Sequence, residues 1–347
     1  MARFVTPRHS LLLAVLASTV LLATACSGPA GVELGKDWKG STSLVLVEVD
    51  GLVTVVGVNP DRGRAESLAV VPQQADDDHS VSPQLVELAD GRRVLTVPRE
   101  GNRPDRRYQV DRDDHVLDGM TNGERLRRLL PGRTLVAEVA GLPDRGSATR
   151  HIAVSSVLVK EPAHWTVKRE LTIPGTIGLA ASDPASDRIC LAGGAKVFVA
   201  ELTTGKVTPV SLPSGMDVEN LACPGGHPVI VGMPSTSDSS GVVNATLIRT
   251  DGETTVSVTG GRVDAVAATG TSVLLAVATD GDTEIVELDT ITGQELHRAT
   301  VKGLPASLDI AATSAGWLLY TEHSVTRVDP PTGRTKTFDL PGTLLDS

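Results

Sequence analysis

The sequence predicts an all-β protein, a β-propeller of seven four-stranded blades; six or eight blades fit the same length. Three observations predict it. One kind of glycine turn recurs through the C-terminal half, at Gly205, Gly252, Gly293 and Gly333, with spacings of 47, 41 and 40 residues. Short β-rich runs fill the intervals, and no long stretch carries the 3.6-residue period of a helix. The composition, 40% hydrophobic and 21% charged over 347 residues, suffices for a buried core and excludes a disordered chain. Four strands per 40–45 residues is the signature of a propeller blade.

The first 25 residues are set apart from the fold. Arg3 and Arg8 make a positive start, and Leu11 to Ala23 is apolar apart from Ser18 and Thr19. That core is short of the about 20 residues of a membrane span and fits a secretory leader. It ends in Ala23-Thr24-Ala25-Cys26-Ser27-Gly28. Small residues before a cysteine at the end of such a core resemble the bacterial lipobox, with Ala23 where Leu is usual. The resemblance implies cleavage of residues 1–25, lipid on the Cys26 sulfur, and a protein held on the extracytoplasmic side of the cell membrane. The alternative is an ordinary leader cut at Thr24-Ala25. Residues 26–36 are small and breaker-rich at their start and read as a flexible tether, which leaves 37–347 for the propeller.

The N-terminal half is less regular. Asp50-Gly51 between Ser43–Val49 and Leu52–Val58 is a two-residue hairpin signal, and Gly63 takes an outer-turn position. A second unit runs from Gln84–Leu88 through Asp90-Gly91 to Arg93–Val97 and Arg107–Val110. A third holds Arg133–Val139, His151–Val157 and Lys168–Ile173. The clearest units are 176–215, 216–261, 262–306 and 307–342. Each opens on a small-residue strand, such as Leu179-Ala-Ala or Leu308-Asp-Ile-Ala-Ala, that suits a crowded ring centre. Residues 37–342 divided by seven give about 44 per unit, a normal blade length. A β-sandwich joined to a smaller propeller-like half is the second architecture; one ring is preferred because closure removes exposed strand edges.

Asp289-Thr-Ile-Thr-Gly293 and Asp329-Pro-Pro-Thr-Gly333 resemble the Asp-x-x-Thr-Gly hairpin of bacterial propellers of the YVTN and quinoprotein-like class. The resemblance implies architecture and not activity. The metal-ligating and stacking residues of the quinone-dependent enzymes in that class do not show in this sequence, which is 2% aromatic.

Chemistry is sparse. A net charge of −10 argues against general nucleic-acid binding, which needs a basic face. With Cys26 lipidated, Cys190 and Cys223 form an even pair in an oxidising compartment; a disulfide is expected, with two buried thiols as the alternative. Asp76–His79 reads as a solvated loop. Asp111–Gly119 begins like a calcium loop but has Val116 where glycine is required. Asp280-Gly-Asp282-Thr-Glu284 reads as a hairpin turn. Seven histidines, His79 to His323, are spread over different units, and no nucleophile, metal or phosphate-loop motif occurs. No catalytic residue, metal or cofactor is assigned. The run from Arg99 to Arg133 concentrates arginine, and Arg125, Arg127 and Arg128 form a candidate docking patch for an acidic partner, anionic lipid headgroups or a cell-wall polymer; a self-paired mixed-charge surface is the plainer reading. A non-enzymatic, membrane-anchored scaffold binding a protein or envelope ligand is preferred. The alternative is an extracytoplasmic hydrolase or quinone-type oxidoreductase with its site at the channel mouth.

Overall fold

The computed structural model describes residues 33–34, 41–74, 83–97, 106–109, 116–117, 126–140, 154–175, 177–193, 196–212, 216–234, 242–249, 252–259, 262–304 and 307–346. The strands in them form seven antiparallel sheets, here I to VII in chain order. Sheet I holds β1 (Glu33–Leu34), β2 (Ser43–Val49), β3 (Leu52–Asn59) and β4 (Arg64–Gln74). Sheet II holds β5 (Gln84–Glu87), β6 (Arg93–Val97), β7 (Arg106–Gln109) and β8 (Val116–Leu117). Sheet III holds β9 (Leu126–Pro131), β10 (Val136–Ala140), β11 (Val154–Glu161) and β12 (Thr166–Pro174). Sheet IV holds β13 (Leu179–Ser182), β14 (Arg188–Gly193), β15 (Lys196–Glu201) and β16 (Val207–Val210). Sheet V holds β17 (Met216–Ala222), β18 (Val229–Pro234), β19 (Val242–Arg249) and β20 (Gly252–Thr259). Sheet VI holds β21 (Arg262–Thr269), β22 (Ser272–Ala278), β23 (Thr283–Asp289) and β24 (Glu295–Val301). Sheet VII holds β25 (Asp309–Thr313), β26 (Gly316–Tyr320), β27 (Ser324–Val328) and β28 (Thr335–Asp339). The last strand, β29 (Thr343–Asp346), returns to sheet I and pairs with β2. The fold is an all-β propeller.

The second strands β22 (Ser272–Ala278) and β26 (Gly316–Tyr320) are apolar runs without alternation, because their sheets are covered on both sides. In β22, Val273, Leu275 and Val277 pack with Val229 and Val231 of sheet V. Leu274 and Ala276 point the other way, to Ile310, Trp317 and Leu319 of sheet VII. Successive side chains of a strand take opposite faces, so a doubly covered strand is apolar on both, except where a buried polar group has a partner, as Glu138 of β10 has in Lys160 at 2.8 Å. Outer strands face solvent and alternate, as in β24, where Ala299 and Val301 are buried between exposed neighbours.

Several turns follow the sequence closely. Asp50 and Gly51 both have positive φ, 51° and 77°, as a two-residue hairpin of the primed type requires. In the Asp-x-x-Thr-Gly turn, the Asp289 carboxylate accepts from the Ile291 and Thr292 amides at 2.9 and 2.6 Å. The Gly293 amide donates to the Asp289 carbonyl at 2.8 Å. Sheet IV uses the same device with a longer acid: the Thr204 hydroxyl donates to Glu201 at 2.9 Å, and the Gly205 amide to the Glu201 carbonyl at 2.8 Å. Asp280–Glu284 is a hairpin turn in which the Thr279 amide donates to the Asp282 carbonyl at 2.9 Å.

Other expectations need correction. Gly252 opens β20 opposite Arg249 instead of sitting in the turn. Glu33 and Leu34, read as tether, pair with Val70 and Ala69 on the outer edge of sheet I. In the third unit, residues 132–135 form a turn, and the first strand is Leu126–Pro131. Its composition is not small, because Leu129 and Leu130 fill the apolar layers shared with sheets II and IV.

Contacts run from sheet to sheet around the whole set. Sheets III and IV share Val139, Ile173, Ile189 and Leu191, and sheets IV and V share Val197 and Ile230. Cys190 of β14 is bonded to Cys223 at the end of β17, with Cα atoms 5.6 Å apart. The circuit closes between VII and I, where Leu318, Tyr320 and Phe338 pack on Val45, Val47 and Val56. There the Tyr320 hydroxyl donates to Ser43 Oγ at 3.1 Å, and Arg327 pairs with Asp61 at 2.8 Å. From I to II, Asp346 of β29 accepts the Leu85 amide at 2.8 Å. A side chain at Gly342 would collide with the Glu48 carbonyl, so glycine is what lets the chain re-enter sheet I.

Two measurements follow from this frame. Loss of the bridge, in a Cys190→Ala/Cys223→Ala variant, should cost about 3–4 kcal/mol in the chain-entropy model for a separation of 33 residues; urea unfolding against the wild type, with free-thiol titration of the unreduced chain finding the pair absent, checks it. Burial pushes the Tyr320 phenol up to about 12. The unfolded chain releases that proton near pH 10 and the folded chain holds it, so stability falls as pH rises from about 10 to about 12, by up to about 3 kcal/mol. In Tyr320→Phe that part of the alkaline loss should vanish, and a wild-type-minus-variant difference that stays constant across the window would refute it.

Candidate binding site

The first strands of successive sheets, β5, β9, β13, β17, β21 and β25, lie side by side around the centre of the molecule. Polar side chains on them serve largely as clasps between sheets. Gln84 both donates to the Leu129 carbonyl, at 3.0 Å, and accepts the Leu129 amide, at 2.7 Å. Asn220 donates to the Val263 carbonyl at 3.1 Å. Three acids, Glu219, Asp264 and Asp309, recur at 45-residue intervals on β17, β21 and β25. Glu219 and Asp264 are each the extra residue at a register shift. The Asp264 side chain is only 4% exposed and pairs with Arg262 at 2.7 Å. Among the described residues, no three His, Cys, Asp or Glu side chains come together as a metal site.

The sequence-predicted residues are dispersed. Cys26, Arg125, His79, His115, His151, Asp76–His79 and Asp111–His115 lie outside the described residues. Arg127 and Arg128 fall on β9, the first strand of its sheet, with Arg128 exposed. His164, His227, His297 and His323 belong to four different sheets or their turns. His297 is engaged by Glu287 at 2.9 Å and lies edge-on to Trp317, a packing role at the boundary of VI and VII.

A different place gathers polar groups. The turn between β9 and β10, that between β13 and β14, that between β15 and β16, and the 3-10 turn Pro224–Gly226 surround an open cleft of about 300 Å³. Arg133, Ser186, Asp187, Arg188, Glu201 and Thr203 line it. Asp187 builds the site: its carboxylate accepts the Thr134 and Leu135 amides at 2.7 and 3.1 Å and the Thr134 hydroxyl at 2.6 Å. Its carbonyl takes the Leu202 amide at 2.8 Å. One residue thus fixes the turns of sheets III and IV to each other, and its charge is spent on donors within the fold. Asp183 repeats the device toward sheet V, accepting the Gly225 amide at 2.7 Å. By contrast, the guanidinium groups of Arg133 and Arg188 have no hydrogen-bond or ion-pair partner among the described residues. Arg169 lies over Gly205 of the same turn, with its Nε buried and unpartnered among those residues.

The shifted titrations elsewhere belong to surface pairs. The Arg92 side chain holds Asp90 below the usual carboxylate range, Lys168 does the same for Glu161, and Arg298 for Glu295. None of them lines the cleft. Sequence reasoning missed the cleft because Arg133 and Arg188 are 55 positions apart and meet only through the Asp187 clasp.

No protein-family model matches the chain, and no curated protein matches it. Solved structures do. The chain is similar to one in the crystal structure of a mitotic checkpoint complex, at 12% identity over 93% of this chain and 89% of that one, with a TM-score of 0.52. It is also similar to an acylaminoacyl peptidase in complex with a chloromethyl ketone, at 11% identity and a TM-score of 0.53, over 85% of this chain and 52% of that one. The chain therefore spans about half the length of that peptidase. At these identities the likeness concerns the fold alone, and the fold it supports is the β-propeller.

Proposed function

We propose that the protein is a lipid-anchored, extracytoplasmic scaffold whose seven sheets are the blades of one closed ring that binds a protein or envelope ligand. The observation that carries this reading is the Cys190–Cys223 disulfide. A disulfide joining neighbouring sheets belongs to an oxidising compartment. It also accounts for two of the three cysteines, leaving Cys26, at the lipobox-like site, as the third. Six residues separate Cys26 from β1, and at full extension they span roughly 20 Å. In this reading the ring is held close to the membrane by the outer edge of sheet I, and more than one acyl chain is needed for firm attachment. The docking surface in this reading includes the arginine-rich segment with Arg125, Arg127 and Arg128, which brings positive charge to an otherwise acidic chain.

The anchor is tested by Cys26→Ser. The substitution should shift the protein from the membrane fraction to the soluble fraction while leaving the unfolding midpoint unchanged. A variant that still needs detergent for extraction would sink the lipid-anchor reading.

A further inference from the structure

We propose that the cleft between sheets III, IV and V binds a small molecule through a carboxylate or phosphate group, held by Arg133 and Arg188. The inference stands apart from the anchored-scaffold reading, because it concerns a site and not a location.

The argument begins with charge. Two guanidinium groups line the same cleft without an ion-pair or hydrogen-bond partner among the described residues, and Arg169 adds a third beside the same turn. Arg188 is half-buried and Arg133 exposed, and each presents a planar fork of donors suited to an oxyanion. The acids nearby do not match them. Asp187 is committed to two backbone amides and a hydroxyl. Glu201 is held by Thr204 in its turn and forms no ion pair with either arginine. The cleft therefore offers two guanidinium groups, unpaired among the described residues, beside acids whose oxygens are already engaged by the fold.

Shape and chemistry then select the ligand. Guanidinium forks pair with oxyanions in bidentate fashion, and the Ser186 and Thr203 side chains on the lining add hydroxyl donors. A volume of about 300 Å³ sits at the small end of ligand sites, so it admits a compact anion and not a large cofactor. The positions are pre-set. Backbone and carboxylate hydrogen bonds fix all the contributing turns, and the Cys190–Cys223 bridge ties sheet IV to sheet V at this place. Little ordering cost remains for binding. Glu201 disfavours anions of high charge and sets a limit on which oxyanion fits.

The test is calorimetric titration of the purified full-length chain in detergent with inorganic phosphate and, separately, glutarate. Saturable one-site binding of either anion, weakening as salt is raised, is expected. Arg133→Gln and Arg188→Gln should each weaken it by about tenfold or more at an unchanged thermal midpoint. Glu201→Gln keeps the turn acceptor and removes the like charge, so it should tighten binding; a gain of affinity cannot come from misfolding. Phosphate alone or glutarate alone would identify the group, both within the proposal. No saturable heat from either anion, or binding equal in both arginine variants and the wild type, would overturn it. Success or failure here is independent of the fractionation of Cys26→Ser.

Discussion

The structure depends on a pairing between two strands some 300 residues apart, β2 and β29. Strand β29 adds itself to β2, and without it sheet I would lack its innermost member. Every other sheet is built from consecutive strands and is local. The circuit of apolar layers is not local: Tyr320 reaches back to Ser43 of sheet I, and Asp346 of β29 takes the Leu85 amide of sheet II. In an open stack, sheets I and VII would each expose one apolar face, an unfavourable surface of the kind that drives association. Gly342 is the small residue that permits the closing turn, so a steric constraint at one position underlies a contact network around the whole ring.

Around that closure the sheets are fastened twice. Apolar side chains fill the space between them, and carboxylates or amides on turns and first strands satisfy backbone groups on the neighbouring sheet. Asp187 toward sheet III, Asp183 toward sheet V, Asn220 toward sheet VI and Gln84 toward sheet III all do this. Buried backbone groups at the ends of strands need partners, and a neighbouring sheet's side chain supplies them where the sheet's own turn does not. The second fastening also fixes the turns of three sheets around the arginine-lined cleft, so the same bonds that hold the ring shape the candidate site.

Legibility in the sequence followed physical range. The turns at Asp50-Gly51, Asp289–Gly293 and Asp329–Gly333 were readable because their requirements lie within five residues: a carboxylate for the amides and a glycine for positive φ. The doubly buried second strands were readable as apolar runs. Strand β9 was not, since Leu126-Arg-Arg-Leu-Leu-Pro131 has neither alternation nor the small residues expected at a ring centre. Strand β29 was hidden because four residues, Thr343-Leu-Leu-Asp346, carry no mark of a partner some 300 positions away. The cleft was hidden for the same reason, because its arginines come from different sheets.

The position of β29 also governs when this protein can become itself. In a chain made from N to C, β2 is formed some 300 residues before its mate β29 is supplied. Until then the bare edge of β2 is a template open to any other extended segment. Pairings of such sequence separation form slowly, and an incomplete ring is an aggregation-prone intermediate. Removal of β29 would leave β2 unmated on that side and take away the Asp346 link to sheet II, while the apolar packing of sheet VII on sheet I would still be available.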